Sequence, residues 1–359
     1  MRIAFLDSWL QTAVDGSGTA ASINGLEGAL QQQGHKITRF SPFTERPANL
    51  MVRRLLFNTQ LPALLRTLQY DLIVGFDIDG VLWSRRGGNT PYVCSIKGII
   101  AEELLHEQGS TRATFRALAQ LERHNVRNAD LVLTTSAYAR AALGRHYGIP
   151  GRRVRLVSEG IDLAHYERIA AETPRQSDGC TILCVARQYP RKHIADLLRA
   201  MVIVRQRVPA ARAVIIGDGP EHANLRALAA ELQLGTSVEF LGALPDDDDV
   251  RRWYRRADIF CLPSVQEGFG MVFVEAMASG LPIVATTSAA IPEVVPRNRA
   301  GLLVPPAYPE ALAGALLELL NNPEERAIFG AFGKQHVQQY EWQRVARQFI
   351  AAVAPLVHT

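Results

Sequence analysis

The sequence predicts an α/β protein with two domains, each built on a parallel sheet. Three observations support this fold class. Short apolar runs alternate with longer amphipathic stretches, as in successive βαβ units. The alternation gives six strand candidates in each half of the chain. A chain of 359 residues also exceeds the size of one typical core and fits two domains. We therefore expect two Rossmann-like domains.

Twelve apolar runs have the length and composition of buried strands. In the first half the predicted strands are residues 3–6, 36–40, 72–74, 92–96, 131–134 and 154–157. In the second half they are residues 181–185, 213–216, 238–241, 259–262, 283–285 and 301–304. Ligands of such sheets bind at the carboxyl ends of the strands, so the residues that follow each strand are the first candidates for function.

Amphipathic stretches between these strands predict helices at residues 20–33, 112–125, 194–207 and 221–233. The polar stretch 167–179 is typical of a linker. The predicted organisation is a domain at 1–166, a linker at 167–179, a second domain at 180–336, and a terminal helix within 337–359.

Composition indicates an ordinary globular protein, with 48% hydrophobic and 21% charged residues. No apolar run approaches the length of a membrane-spanning helix. Residues 1–7 enter a strand directly, without a signal-peptide layout, and the four cysteines have no redox or metal spacing. We expect a cytoplasmic protein. The net charge of +4 is too small to indicate a nucleic-acid partner.

Residues 47–68 combine three arginines (Arg53, Arg54 and Arg66) with many leucines. Two interpretations stay open. The segment is a helix packed on the sheet with its arginines outward, or a basic amphipathic surface that rests on the inner face of an anionic membrane.

Residues 264–278 form the most informative segment of the chain. The predicted strand 259–262 leads into a glycine-rich loop and then a helix, which directs backbone N–H groups and a helix dipole at an anion. Glu267 lies in the loop and Glu275 in the second turn of the helix. Carboxylates repel phosphate, so they more readily accept hydrogen bonds from sugar or ribose hydroxyls. The combination predicts a sugar-nucleotide site.

This segment resembles the Glu-x7-Glu signature of retaining glycosyltransferases of the GT-B fold, family 4. The resemblance implies two Rossmann-like domains that face each other across a cleft, with the terminal helix crossing back onto the N-terminal, acceptor-binding domain. It implies that Glu267 binds the donor sugar and Glu275 the ribose. The start of the helix also joins the donor site, at Phe269, Gly270, Met271 and Val272.

A basic loop follows the strand 181–185. The run from Ala186 to His193 is similar to the family's Gly-Arg-(four)-Lys-Gly segment, which implies that Arg187 and Lys192 bind the donor diphosphate. Ala186 and His193 stand where glycines are usual. Fixed cations stabilise the charge that develops on a departing diphosphate. Arg187, Lys192 and Glu267 are therefore the predicted catalytic residues.

Two further turns in the second half carry donor-binding candidates. Gly217 and Gly219 resemble the family's Gly-x-Gly-Pro-Glu turn, which lines the nucleotide pocket. Leu241 and Gly242 follow the next strand, where the family seats the base.

The first half carries donor-binding candidates at two places. Gly16, Ser17 and Gly18 precede the first helix, as does the family's glycine loop near the donor phosphate. Lys97 stands where many members have a histidine that reaches the donor sugar. Two interpretations of Lys97 stay open: its side chain contacts a sugar hydroxyl or a phosphate, or it is merely exposed to solvent.

We expect no cofactor and no metal, with a nucleoside-diphosphate sugar as co-substrate. The acid run Asp246–Asp249 has the pattern of a solvated turn and helix start. Arg187 and Lys192 already supply the charge that a divalent ion would bring.

The resemblance implies a transferase that retains anomeric configuration, with UDP- or GDP-linked donors and glycan, glycolipid or small-molecule acceptors. Since no second carboxylate is placed as a nucleophile, we expect front-face substitution with Glu267 orienting the sugar. The alternatives are a sugar-nucleotide epimerase or hydrolase on the same fold, or a non-catalytic sugar-nucleotide-binding subunit. A dehydrogenase is disfavoured, since Asp7 is not followed by the Gly-x-Gly-x-x-Gly turn.

Overall fold

The computed structural model describes residues 1–9, 18–42, 50–65, 69–83, 90–175 and 177–357. The chain divides into two compact units, Met1–Gly160 with Tyr340–Thr359, and Ile161–Gln339. Each unit contains one six-stranded sheet in which every paired strand is parallel. The predicted fold class and its twelve strands are confirmed.

The first unit begins with a sheet whose strands are β1 (Arg2–Leu6), β2 (Lys36–Phe40), β3 (Leu72–Phe76), β4 (Tyr92–Ile96), β5 (Leu131–Thr134) and β6 (Val154–Leu156). Its helices are α1 (Gly18–Gln32), α2 (Leu50–Leu65), α3 (Ile100–Glu103), α4 (Gly109–Asn128) and α5 (Ala137–Tyr147). The spatial order is β2-β1-β3-β4-β5-β6. The chain places β2 on one side of β1 and the later strands on the other side. The topological switch point of the sheet therefore lies between β1 and β3.

The second unit contains β7 (Thr181–Val185), β8 (Arg212–Ile216), β9 (Val238–Gly242), β10 (Ile259–Leu262), β11 (Ile283–Thr286) and β12 (Gly301–Val304). Its helices are α6 (Leu163–Glu172), α7 (Ile194–Arg207), α8 (His222–Glu231), α9 (Asp247–Arg256), α10 (Met271–Ala278), α11 (Ile291–Val294), α12 (Pro309–Asn321) and α13 (Pro323–His336). The order β12-β11-β10-β7-β8-β9 places the switch point between β7 and β10.

The final helix, α14 (Trp342–Val357), belongs to the first unit. It packs beside α1, and Phe349 and Val353 are fully buried in the core on that face of the sheet. Trp342 lies directly on two glycines, because an added Cβ would come within 2.1 Å of its indole at Gly25 and 2.2 Å at Gly160.

The predicted linker is wrong over residues 167–172, which form the second half of α6. Leu163, Tyr166 and Ile169 recur at three-residue spacing and are buried, so they hold the helix on the second unit. The side chain of Asp162 caps the helix by accepting a hydrogen bond from the backbone N–H of His165 at 3.0 Å.

The expectation of outward arginines in residues 47–68 is wrong for two of the three. Arg53 and Arg54 of α2 are only 6% and 4% exposed, whereas Leu55 and Leu56 are 37% and 50% exposed. Arg66 lies outside the described residues. The outward face of α2 is therefore largely apolar in its first two turns, whereas Thr59 and Gln60 are exposed farther along the helix.

We predict that Gly25→Ala lowers the thermal unfolding midpoint, because the new methyl group overlaps the Trp342 indole. Overpacking of this kind costs about 1–3 kcal/mol. Gly28→Ala in the same helix is the matched control, since its Cβ meets nothing within 4 Å. That variant should gain up to about 1 kcal/mol from helix propensity. Equal rises in the midpoint for both variants would contradict the packing.

Candidate active site

The candidate site in the second unit lies at the switch point between β7 and β10. The loop after β7 carries Lys192, and the loop after β10 carries Glu267. The two strands are neighbours in the sheet, yet their chains continue to opposite sides, toward β8 and β11. Loops that diverge in this way leave a crevice at the sheet edge.

A short ion pair closes the base of this crevice. The Lys192 Nζ atom lies 2.5 Å from Glu267 Oε1, and the two side chains are 13% and 9% exposed. The hydroxyl of Ser264 donates to the same Oε1 at 2.8 Å, and Thr286 in turn donates to the Ser264 carbonyl oxygen at 2.5 Å. Two predicted catalytic residues thus meet each other directly.

The surroundings of Glu267 keep its carboxylate ionised. Burial alone would raise the pKa of this group, but the charges of Lys192 and Arg191 and the hydrogen bonds from Lys192 and Ser264 outweigh it, so the pKa is lowered overall. An ionised Glu267 acts as a hydrogen-bond acceptor, the role expected toward sugar hydroxyls.

Glu275 has a different environment, although it is eight residues away in sequence. It lies in the second turn of α10 and is half-buried. Tyr254 of α9 donates its phenolic hydrogen to Oε2 at 2.8 Å. Burial raises the pKa of Glu275, although Tyr254 and the charge of Arg251 act in the opposite direction.

The glycine-rich loop ends at Gly270, which caps α10 with a left-handed backbone at φ 93°. A Cβ there would lie 2.6 Å from the Phe273 ring, so both the conformation and the space require glycine. Phe269 is buried at 6% exposure, while Met271 and Val272 in the first turn are partly exposed. The N-terminus of α10, the positive end of its dipole, thus follows directly on the loop that carries Glu267.

The loops after β7 and β8 interlock. Gln188 donates its backbone N–H to Asp218 at 2.9 Å and its side-chain amide to the Gly217 carbonyl at 2.6 Å. A Cβ at Gly217 would lie 2.1 Å from the Ala186 carbonyl oxygen, and one at Gly219 would lie 2.8 Å from the Gln188 backbone nitrogen. These glycines permit a close backbone approach. Arg187 in this loop is exposed, with its guanidinium 5.8 Å from the Tyr189 ring centroid.

Leu241 and Gly242 lie at the carboxyl end of β9. Gly242 has φ 68°, and its carbonyl accepts a hydrogen bond from Gly217 at 2.7 Å. The β8 and β9 turns are therefore joined, next to the loop that carries Arg187.

His193 stands where the resembled segment has glycine, and its backbone is left-handed at φ 50°. This conformation explains the glycine of the family pattern, since only glycine adopts it without a steric cost. The imidazole Nδ1 lies 2.9 Å from Asp196 Oδ2, a contact within the first turn of α7.

The structure describes the predicted site residues of the first unit only in part. Gly16 and Ser17 lie outside the described residues, and Gly18 is the first residue of α1. Lys97 is 11% exposed and forms an ion pair with Glu159 at 2.9 Å. The alternative of a merely exposed Lys97 is therefore wrong. The side chain of Ser22 donates to the other oxygen of Glu159.

A polar cluster at the switch point of the first unit escaped the sequence analysis. Ser8, after β1, donates its backbone N–H to Asp79 Oδ2 at 2.8 Å, and the Trp9 indole donates to Asp77 Oδ2 at 3.1 Å. Arg54 of α2 lies 3.6 Å from Asp79 Oδ2 and 3.9 Å from Asp77 Oδ2. Burial raises the pKa of Asp79 to about 6 against the opposing effects of Arg54 and Ser8. The signal that could have revealed it is Asp-x-Asp-Gly directly after a strand.

The acid run Asp246–Asp249 begins α9, as predicted. Asp246 caps the helix by accepting from the Asp248 backbone N–H at 2.9 Å. Asp248 itself pairs with His165 at 2.6 Å and Arg251 at 2.7 Å. Within the described ranges, no group of three His, Cys, Asp or Glu side chains could hold a metal ion.

Two family models match consecutive parts of the chain. The model for glycosyl transferases group 1 matches residues 166–336, and that for glycosyltransferase family 4 matches residues 16–165. The chain belongs to the family 4, group 1 glycosyltransferases. The group 1 match contains Glu267 and Glu275 together with Arg187 and Lys192.

Curated relatives agree with this membership. The chain is 31% identical over 231 residues to a GDP-mannose-dependent alpha-(1-6)-phosphatidylinositol monomannoside mannosyltransferase of Mycobacterium tuberculosis, covering 60% of each protein. It is 30% identical over 286 residues to a D-inositol 3-phosphate glycosyltransferase of Corynebacterium urealyticum, covering 75% of this chain and 66% of that protein. The match thus spans about three fifths to two thirds of these relatives' length.

Solved structures share the fold over the whole chain. A sucrose-phosphate synthase from Thermosynechococcus elongatus has a TM-score of 0.81 at 23% identity, covering 100% of this chain and 99% of that one. Anabaena HepE, solved in complex with UDP and glucose, has a TM-score of 0.73 at 18% identity, covering 99% of this chain and 100% of that one. The predicted GT-B fold is confirmed.

We predict that His193→Gly is more stable than His193→Ala by about 1 kcal/mol, because both lose the imidazole but only alanine keeps the left-handed strain. Gln206, exposed near the end of the same helix, is the matched control. At that position Gln206→Ala should be more stable than Gln206→Gly, by up to about 1 kcal/mol. Thermal unfolding of the four variants checks the reversal, and the same order at both positions would disprove it.

We predict that Lys192→Met destabilises the protein by roughly 2–3 kcal/mol, because a largely buried Glu267 loses a cation while Arg191 remains. Since the pKa of Glu267 is lowered from 4.5, the pair stabilises the fold above that pH and is lost as pH falls through the lowered value. Denaturant unfolding at neutral and acidic pH measures both effects.

The control for this prediction is the double variant Lys192→Met/Glu267→Gln, which leaves no uncompensated carboxylate. It should recover most of the lost stability. A double variant as unstable as Lys192→Met alone would show that the loss comes from packing and not from the unpaired charge.

Proposed function

We propose that this chain is a retaining, metal-independent glycosyltransferase that moves a sugar from a nucleoside-diphosphate sugar to an acceptor hydroxyl. The observation that carries the proposal is the meeting of Lys192 and Glu267 at the β7/β10 switch point, beside the start of α10. The cation and the helix start at this edge suit the diphosphate of a sugar nucleotide, and the carboxylate suits the hydroxyls of its sugar.

In this proposal the protein orients the donor and stabilises the leaving group. Arg187, exposed at the mouth of the β7 loop, and Lys192 hold the diphosphate, whose negative charge grows as the glycosidic bond breaks. Glu267 accepts hydrogen bonds from the donor sugar, and Glu275 accepts from the ribose. A donor phosphate oxygen takes the proton of the acceptor hydroxyl on the same face of the sugar.

The donor nucleotide is UDP or GDP. A relative that is GDP-mannose-dependent supports GDP, and a neighbour solved with UDP supports a fold able to hold either. Leu241 and Gly242, at the end of β9, are the residues proposed to contact the base.

The acceptor is proposed to bind at the first unit, at the edge where Asp77, Asp79 and Arg54 meet. Glycans, glycolipids and small-molecule glycosides are the acceptor classes. The exposed Leu55 and Leu56 of α2 support a peripheral contact with a cytoplasmic membrane surface. Among the helices of the described ranges, none is both long enough and apolar enough to cross a membrane.

The first experiment is calorimetric titration of UDP, GDP, ADP and their common sugar conjugates in the presence of EDTA. We expect one nucleotide to bind, and Arg187→Ala and Glu275→Ala each to weaken it about 10- to 100-fold, since each removes hydrogen bonds that involve a charged group. Arg226→Ala and Glu318→Ala, exposed positions in the same unit, are the matched controls and should leave affinity unchanged.

Four outcomes would count against the proposal. Absence of binding across the panel would contradict the proposed donor site. Binding that requires added metal would contradict the metal-independent mechanism. A transfer product with inverted anomeric configuration, read by NMR, would remove front-face substitution. Donor consumption without acceptor would favour an epimerase or hydrolase.

A further inference from the structure

Tyr254 is the buried residue that holds Glu275. It lies in α9 at 1% exposure, with its ring stacked on Phe260 of β10 at a centroid distance of 5.6 Å. Phe260 in turn contacts Phe273 of α10 edge-on at 5.9 Å. The stacking on Phe260 and the burial of the ring therefore fix the direction of the phenolic hydroxyl, which ends 2.8 Å from Glu275 Oε2.

The hydrogen bond has a defined direction. A phenol has one hydrogen to donate, and an ionised carboxylate is an acceptor only. Burial and the charge of Glu275 raise the pKa of Tyr254 well above its usual value, so the hydroxyl stays protonated wherever Glu275 is ionised. Tyr254 thus occupies Oε2, which leaves Oε1 as the candidate acceptor for a ligand.

We propose that Tyr254 is a positioning residue that preorganises Glu275 to accept hydrogen bonds from the ribose of the donor. The inference rests on the proposed function, in which Glu275 binds that ribose. A glutamate side chain has several rotatable bonds, and fixing it before the ligand arrives removes part of the ordering cost of binding. Tyr254 acts through Glu275 and does not contact the ligand.

The test compares two ligands whose difference is confined to the ribose. Calorimetry would measure the Kd of the nucleoside diphosphate that binds the wild type, and of its 2′,3′-dideoxy analogue, for wild type, Tyr254→Phe and Glu275→Ala. We expect Tyr254→Phe to weaken the ribonucleotide about three- to tenfold, the effect of one lost hydrogen bond, and to leave the dideoxy analogue unchanged. Tyr308→Phe, at an exposed tyrosine of the same unit, is the control.

The dideoxy analogue separates positioning from structure, because a damaged fold weakens both ligands equally. Equal weakening of both ligands, or no effect of Tyr254→Phe while Glu275→Ala abolishes the ribose preference, overturns the inference alone. If no nucleotide binds the wild type, or if Glu275→Ala keeps the full ribose preference, the ribose role of Glu275 falls and the inference falls with it.

Discussion

The geometry of the candidate site depends on the switch point between β7 and β10. Parallel strands that continue to opposite sides leave their following loops apart, and something must hold those loops in register at the edge. In this protein the Lys192–Glu267 pair connects the two loops, and the Val265 backbone N–H adds a bond to the Arg191 carbonyl at 2.9 Å. The same rule applies in the first unit, where Ser8 and Asp79 join the loops after β1 and β3. Polar side chains lie at both switch points because the diverging loops leave space for them there.

Two departures from the family's glycine pattern have different physical solutions. At His193 the backbone remains left-handed, and the strain is offset by local hydrogen bonds, from the imidazole to Asp196 and from the Asp196 backbone N–H to the His193 carbonyl at 2.9 Å. At Ala186 the close approach to the β8 turn is made possible from the other side, because Gly217 has no Cβ to meet the Ala186 carbonyl. The loop can therefore keep its cations in place without glycine at either position.

The sequence predicted the features that depend on local residue patterns, and it missed those that depend on contacts between residues far apart in the chain. The twelve strands follow from apolar runs, and the start of α9 follows from its aspartates. The polar composition of residues 167–172 hid a helix, because one buried residue in each turn is enough to hold it. Asp77 and Asp79 were missed because the predicted strand ended two residues early, at 74 and not 76. The Lys97–Glu159 pair joins residues 62 positions apart, a distance at which no sequence pattern indicates contact.

Glu267 and Glu275 belong to one motif, yet their neighbours set their pKa values in opposite directions. On each carboxylate the protein binds one oxygen: Lys192 and Ser264 bind Oε1 of Glu267, and Tyr254 binds Oε2 of Glu275. An ammonium group 2.5 Å from Glu267 also withdraws negative charge from that carboxylate. A carboxylate so strongly hydrogen-bonded accepts hydrogen bonds well but attacks carbon poorly, since attack would require it to give up the charge that Lys192 stabilises. This physical argument supports the proposal that Glu267 orients the sugar and that the proton passes from the acceptor hydroxyl to the donor phosphate.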